Sequence, residues 1–384
     1  MGVFTEYLDQ KFSSAELAEE RKRQLNRIST LRGNCAILTY AADFTKAAAR
    51  VPISIDYSDI RYIADQLANL RGDHLDLILE TPGGSGEVAE DLVRMIRVRF
   101  THLGIIIPGW AKSAGTIMAM AGDEILMGPE SALGPIDAQL SWQGKSFSAD
   151  ALLRGFEKIK KAVEASGQLN KAYIPMLQGI SPGDLESAQI AMDFAKTLVT
   201  DWLARYKFRT WTAHKNGQLV TDDHKRARAE EIAGQLCDHG RWKTHGRSIK
   251  LDDLAALRLK VTNYSDAPEL GDAIRRYHAL VMRTFDGTAY KLYETPTSQL
   301  YRNVVPQTTA PPAQADRAII KVPCTNCRTV SQVQANLKPG LTLARGCANF
   351  PSDNMFTCPT CGQVIDLTQA RHEIETQAGR PIVT

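Results

Sequence analysis

The sequence predicts an α/β fold of successive parallel βαβ units, followed by an added helical region and a small separate domain that carries cysteine pairs. Three observations predict it. Between Leu75 and Gly134, apolar strand-like runs alternate with a helical periodicity and stop at glycine-rich turns. After residue 148 long amphipathic periodicities take over, and beyond residue 303 the composition changes abruptly and two CxxC pairs follow.

Taken in order, Ser13 to Arg27 reads as a charged helix opened by the capping-box-like SSAEL, its charges most simply a solvated face. NCAILTY, residues 34–40, is the first core strand, with Cys35 a small buried hydrophobe. Asp56 to Leu70 places Ile60, Ile63, Leu67 and Leu70 on one helical face. The run Leu75, Leu77, Ile78, Leu79 is too short for a buried helix and ends in Thr81-Pro82-Gly83-Gly84-Ser85-Gly86, so it is a core strand stopping at a turn. Glu87 to Val98 carries Val88, Leu92, Val93 and Ile96 at spacings of three and four, an amphipathic helix. Leu103 to Ile107 is the second strand, completing a βαβ unit with parallel, buried strands. A second tight turn, GWAKSAG, then delivers Ser113 onto the start of a helix.

Both turns fall at carboxyl ends of strands, where such sheets gather their reactive groups. Glycines let the backbone approach a ligand and free their N–H groups, and a serine at a helix start lies where amide ends favour a developing oxyanion. The pair therefore supplies two halves of an acyl-transfer site: Ser113 Oγ as nucleophile, and Gly83, Gly84 and Ala114 as amide donors. Either turn alone reads as an N-cap or a plain turn; their pairing across one βαβ unit favours the site.

TPGGSGEVAEDL followed by AKSAGTIMAMAGDEILMGPESALGPIDAQ resembles the Clp-fold serine peptidases, and most closely the serine dehydrogenase proteinase family, related to signal peptide peptidase A and to Clp protease. The resemblance is tight from Leu75 to Gln139 and looser through Lys260. It implies a Clp/crotonase-like spiral over 31–302, preceded by an N-terminal helical segment at 1–30. It implies Ser113 as nucleophile, with the PGG turn and the amide after the serine as oxyanion hole, and it implies self-assembly.

The base stays open. Clp proteases carry a histidine on the strand after the serine helix, where this chain reads SALGPIDAQ; signal peptide peptidases use a downstream lysine, which points to a Ser-Lys dyad. A lysine base needs burial or a nearby cation to lower its pKa. Lys158 in LLRGFEKI is the first candidate and Lys145 the second; Lys112 adjoins the serine but would point elsewhere. His245 in KTHGR is the histidine alternative, and Asp137 would orient either base.

The chain has 384 residues, 43% of them hydrophobic, enough for a sizeable core and two or three domains. Lys+Arg 46 against Asp+Glu 43 gives no strongly charged balance and so no polyanion partner. No apolar run approaches the about 18 residues of a membrane span, and the expectation is a soluble, cytoplasmic chain. Ala149 to Ala165 and Ala188 to Tyr206 are long amphipathic helices whose apolar faces are core or oligomer contacts. His214, His224, His239 and His245 match no zinc spacing and read as solvated surface. Residues 286–301 are tyrosine-rich without a clear alternation.

VVPQTTAPPAQAD marks a linker, bounded as 303–319. In 320–384, Cys324 and Cys327, then Cys358 and Cys361 in a CPxCG turn, supply four thiolates for a structural Zn²⁺ in a zinc ribbon. The 30-residue gap predicts a hairpin with a loop, Cys347 in that loop as a spare thiol. Few aromatic or basic residues surround the knuckles, which argues against nucleic acid. The reading is a cytoplasmic serine endopeptidase acting on peptides or unfolded segments. Competing with it are a crotonase-type acyl-CoA enzyme and an inactive oligomeric scaffold whose ribbon recruits a partner.

Overall fold

The computed structural model describes residues 2–49, 51–142, 145–214, 216–304 and 316–383, and it divides into two units, Met1–Val304 and Val305–Thr384. The linker run at 305–315 lies outside the described residues.

In the first unit, α1 (Val3–Asp9) and α2 (Ser14–Leu31) lead into β1 (Ala36–Ala42), followed by α3 (Tyr57–Ala68), β2 (His74–Glu80), α4 (Gly86–Arg99) and β3 (His102–Ile107). Next come β4 (Trp110–Ala111), α5 (Ala114–Met120), β5 (Glu124–Met127), β6 (Ala132–Leu133) and a hairpin of β7 (Gln139–Trp142) with β8 (Lys145–Ser148). A helical region follows: α6 (Ala149–Ser166), α7 (Ile174–Leu177), α8 (Pro182–Trp202) running on as a π-helix (Leu203–Lys207), α9 (Asp222–Cys237), α10 (His239–Trp242) and α11 (Leu251–Ala256). The unit ends with β9 (Thr262–Asn263), α12 (Pro268–Phe285), β10 (Ala289–Glu294) and β11 (Gln299–Asn303).

The main sheet has the order β11-β10-β1-β2-β3-β5-β9, with β1, β2, β3, β5 and β9 parallel and β10 and β11 antiparallel to their neighbours. Both faces are covered. Leu38, Tyr40, Leu77, Leu79, Ile105 and Ile107 point into one core, and Ile37, Ala41, Ile78, Ile106 and Leu126 into the other. Burial on both sides explains why these strands read as continuous apolar runs.

Two expectations change in the first unit. The α2 helix has its predicted Ser13–Glu16 capping box, but its charge run is not simply solvated. Arg21 is 1% exposed and grips the fully buried Glu294 of β10 (2.9 Å), which also accepts from Tyr277 Oη (2.9 Å). The tyrosine-rich stretch is the β10–β11 hairpin. It shows no period of two because every residue of β10 is buried, including Lys291, whose Nζ donates to Asp59 (2.7 and 2.9 Å) and to the Ser54 carbonyl (2.7 Å).

Breaking such a pair strands one charge in the interior. Glu294→Ala is expected to lose about 3–5 kcal/mol of stability in chemical denaturation, whereas Arg21→Met/Glu294→Leu recovers most of it. A Glu294→Ala variant within about 1 kcal/mol of wild type would show that Arg21 finds another partner.

The second unit has β12 (Arg317–Pro323) antiparallel to β13 (Val330–Asn336), β14 (Cys347–Asn349) parallel to β13, the hairpin β15 (Met355–Thr357) with β16 (Val364–Asp366), and α13 (Thr368–Ala378). Ile320, Val333, Phe350, Phe356 and Ile374 belong to its own core. The single looped hairpin expected from the sequence is replaced by two hairpins, each with a CxxC pair at its turn. Cys347 opens β14 rather than lying in a loop.

Candidate functional site

The two turns singled out in the sequence meet. The Thr81 N–H donates to the Trp110 carbonyl (2.8 Å) and the Lys112 N–H to the Thr81 carbonyl (3.0 Å), so the end of β2 is stitched to the strand that leads into Ser113. Upstream, the buried Glu80 carboxylate accepts the N–H groups of Gly109 (3.0 Å) and Trp110 (3.0 Å), fixing the Pro108-Gly109 corner. Downstream, Thr116 Oγ1 donates to the Ala111 carbonyl (2.7 Å) and accepts from the Gly134 N–H (2.9 Å).

Ser113 sits between these clamps with φ 49° and ψ −117°, a strained backbone for an L-residue, and its side chain does not cap α5. Such a conformation costs of order 1–3 kcal/mol and persists only when its surroundings impose it. What it achieves is a sharp strand-to-helix elbow that leaves Ser113 half-buried while all of α5 is buried.

Gly83 (φ 96°) packs directly against this elbow: a Cβ there would lie 2.6 Å from the Lys112 carbonyl oxygen and 2.7 Å from Ser113 Cβ. Gly84 is as constrained, since a Cβ would lie 2.4 Å from the Ile55 carbonyl oxygen. The Gly83 N–H donates to Thr81 Oγ1 (3.2 Å), whereas among the described residues no acceptor takes the Gly84 or Ala114 N–H. Gly84→Ala is expected to lower stability by about 2–4 kcal/mol, read as a lower midpoint in thermal or urea unfolding.

The candidate bases lie in different surroundings. Lys112 Nζ turns away from the serine, as the sequence suggested, and spends its donors on the Leu133 carbonyl (3.0 Å), the Arg247 carbonyl (3.2 Å) and Ser248 Oγ (3.0 Å). Burial, then the Lys250 charge, holds its pKa down to about 8. Lys158 lies exposed on α6, with no ion-pair or hydrogen-bond partner among the described side chains. Lys145 opens β8, and its side chain lies outside what the structure describes.

His245 Nδ1 lies 2.8 Å from Asp137 Oδ1, the ionised carboxylate accepting, and Asp137 is 1% exposed. His239 Nδ1 lies 3.0 Å from the other oxygen, Oδ2, which also accepts from Gln139 Nε2 (2.9 Å). Burial raises the Asp137 carboxyl, but the His245 and His239 contacts outweigh it and hold it below the usual carboxylate range.

The segments bearing these groups run antiparallel, joined by Leu133 and Ile249, whose N–H groups donate to each other's carbonyls at 3.0 Å. Asp137 and His245 stand at matching positions four residues out. Lys112 touches both segments, through the Leu133 and Arg247 carbonyls, whereas no hydrogen bond joins Ser113 Oγ to a candidate base among the described residues. His239 and His245 are therefore not free surface, as the sequence suggested. No local spacing announces their shared carboxylate, which lies 102 and 108 residues away.

In the second unit the four cysteines converge, with Cys324 Sγ 3.5 Å from Cys361 Sγ and Cys327 Sγ 3.6 Å from Cys358 Sγ; none is disulfide-bonded. The knuckles repeat one geometry. The Cys324 N–H donates to the Thr329 carbonyl and the Cys358 N–H to the Gln363 carbonyl, both 2.8 Å, and Arg328 (φ 61°) and Gly362 (φ 74°) make the matching left-handed turns. All four sulfurs lie within 4.8 Å of one another, compatible with a metal site.

Cys35, His74 and Asp76 form a second grouping of ligand type. There Arg32 already holds Asp76 (2.7 Å), and burial pushes the Cys35 thiol up to about 12, so it is organised as a buried ion pair.

Residues 7–169 match the family model described as ClpP-like SDH-type serine proteinase, which bears out the resemblance read from the sequence over that part of the chain. Two uncharacterized proteins of Methanocaldococcus jannaschii are similar: one is 27% identical over 49% of this chain and 53% of its own length, the other 29% identical over 27% of this chain and 36% of its own. The chain thus spans about half or less of the length of these curated relatives. Two solved structures of a membrane-bound stomatin-specific protease are also similar. One, a serine-to-alanine mutant, is 23% identical over 37% of this chain and 64% of its own, with a TM-score of 0.22. The other, a lysine-to-alanine mutant in complex with a substrate peptide, is 26% identical over 36% and 57%, with a TM-score of 0.21. Among the described residues no helix is long and apolar enough to cross a membrane.

Proposed function

We propose, from the match of residues 7–169 to the ClpP-like SDH-type serine proteinases, that this chain is a serine endopeptidase working through an acyl-enzyme on Ser113. The observation that carries the reading is the strained Ser113 elbow seated against Gly83, with no acceptor for the Gly84 and Ala114 N–H groups among the described residues. An elbow of this kind has no use in an acyl-CoA enzyme that needs only two amides, nor in an inert scaffold, where its strain would bring nothing.

Ser113 Oγ attacks the scissile carbonyl as its proton passes to the base. The carbonyl oxygen becomes an oxyanion, received by the Gly84 and Ala114 amides at the end of the Gly83 turn. Collapse expels the amine, which takes the proton back from the base, and water then hydrolyses the ester by the same route.

For the base the geometry favours His245 over Lys158 and Lys112. Its Nδ1 side is fixed by a buried carboxylate, which leaves Nε2 to exchange the proton and stabilises the imidazolium formed. A lysine base requires burial that exposed Lys158 lacks. Peptide hydrolysis by single variants tests this. Lys158→Ala and Lys145→Ala are expected to stay within about threefold of wild type and His245→Ala to fall by about 10³ or more; the reverse pattern would move the role to the lysine.

The cysteine cluster fits Zn²⁺. Tetrahedral Zn–S bonds of about 2.3 Å place sulfurs about 3.8 Å apart, close to the 3.5 and 3.6 Å found here. Cys324, Cys327, Cys358 and Cys361 would hold the ion, whose part is structural, in a ribbon. The substrate is a peptide or unfolded protein segment, and the chain is soluble, cytoplasmic and self-assembling.

A further inference from the structure

A cavity of about 880 Å³ opens among β3, β5, β9, the π-helix and α9, lined in part by His102, Lys207, Trp211, Lys260 and Thr262. It lies at the amino-terminal ends of the strands, since His102 and Thr262 are the first residues of β3 and β9. The Ser113 elbow follows the opposite end of β3, a strand length of about 17 Å away. Its size is that of a small-molecule site, and the peptidase reading makes no use of it.

The charges in its wall are unevenly committed. Each carboxylate is taken: Asp123 by Arg97 (2.7 Å) and Arg209 (2.8 Å), Glu124 by Arg32 (2.7 Å), and Glu231 by Arg228 and Arg258. Two cations remain. Lys207, half-buried, reaches only the Asp123 backbone carbonyl at 3.3 Å, and Lys260 has no hydrogen-bond or carboxylate partner among the described residues. Burial, above all, holds Lys207 down to about 8; the Glu124 and Asp123 charges pull the other way, and the neighbouring Lys260 charge adds to the lowering. The Asp123 and Glu124 carboxylates are already held by arginines and make no direct contact with either lysine among the described residues, so an anion entering between Lys207 and Lys260 meets two like charges it can relieve. Thr262 adds a hydroxyl to that corner.

Phe208, Trp211 and His214 also line the cavity. Phe208 and Trp211 pack edge-on at 5.7 Å, and Trp211 and His214 at 5.2 Å. Aromatic faces of this kind stack planar rings and are tolerant of which ring they take.

We propose that this cavity binds a nucleoside monophosphate, its phosphate between Lys207 and Lys260 and its base against Trp211. The proposal is independent of the peptidase reading, because binding is measured without catalysis.

Isothermal titration calorimetry on the full chain with AMP, inorganic phosphate and adenosine tests it. AMP is expected to bind with Kd below about 1 mM and at least about tenfold more tightly than phosphate or adenosine alone. Lys260→Ala, a change on the exposed surface that puts folding at no risk, and Lys207→Met should each weaken AMP about fivefold or more. Trp211→Ala should bring AMP down to the level of phosphate. The assignment is overturned if AMP gives no binding heat at about 5 mM, if phosphate matches AMP in the wild type, or if the lysine variants bind AMP unchanged.

Discussion

Ser113→Ala is expected to lower kcat for peptide hydrolysis by about 10⁵–10⁶, with little change in KM, and to leave thermal stability unchanged or slightly raised. The size follows from how the parts act together. Without the hydroxyl there is no acyl-enzyme, and only the amides and substrate binding remain, worth about 10³ over water. The fold should not suffer, because the side chain makes no capping bond and the strain at φ 49° is relaxed by none of its contacts. Non-additivity sharpens the expectation. If Ser113 and His245 form one unit, the double variant should be no worse than Ser113→Ala alone. Losses that multiply would place His245 outside the unit.

Removing the zinc proposed for the four cysteines is expected to have the second large effect. Adding chelator, or Cys358→Ser, should abolish hydrogen-exchange protection across residues 316–383 while the amides of β1, β2 and β3 stay protected. The core of this unit includes Ile320, Val333, Phe350 and Ile374, but a single core this small rarely supplies more than about 3–5 kcal/mol. Structural zinc contributes about 10–16 kcal/mol in comparable knuckles. Without it, sulfurs 3.5–3.6 Å apart lose the charge that holds them together. Metal analysis should give about one zinc per chain. A metal-free preparation with full protection in β12 and β13 would remove the site from this account.

What the sequence made legible was local. Strands β1, β2 and β3 and helices α3 and α4 follow from apolar runs and helical spacing, because each is buried in a way its own period records. Ser113 and Gly83 were visible because turn chemistry is written in adjacent residues. The knuckles were visible for the same reason. β10 was not: burial on both faces erases alternation, and Lys291 and Glu294 are tolerated inside only because Asp59 and Arg21, more than 230 positions away, neutralise them. Arg21 looked solvated for that reason. The pairing of Asp137 with His245 depends on a register set at Leu133 and Ile249, and nothing within either segment reports it. The sequence therefore put Lys158 and Lys145 ahead of His245, with Asp137 as the orienting group, and the buried Asp137 carboxylate against His245 is what supports reversing that order.

The nucleophile itself is tested most directly with a fluorophosphonate probe followed by peptide mass spectrometry. The wild-type protein should be labelled at Ser113, labelling should vanish in folded Ser113→Ala, and His245→Ala should slow it by about 10² or more while Lys158→Ala does not. A folded wild-type protein that resists the probe, or carries the label on another residue, would contradict the account.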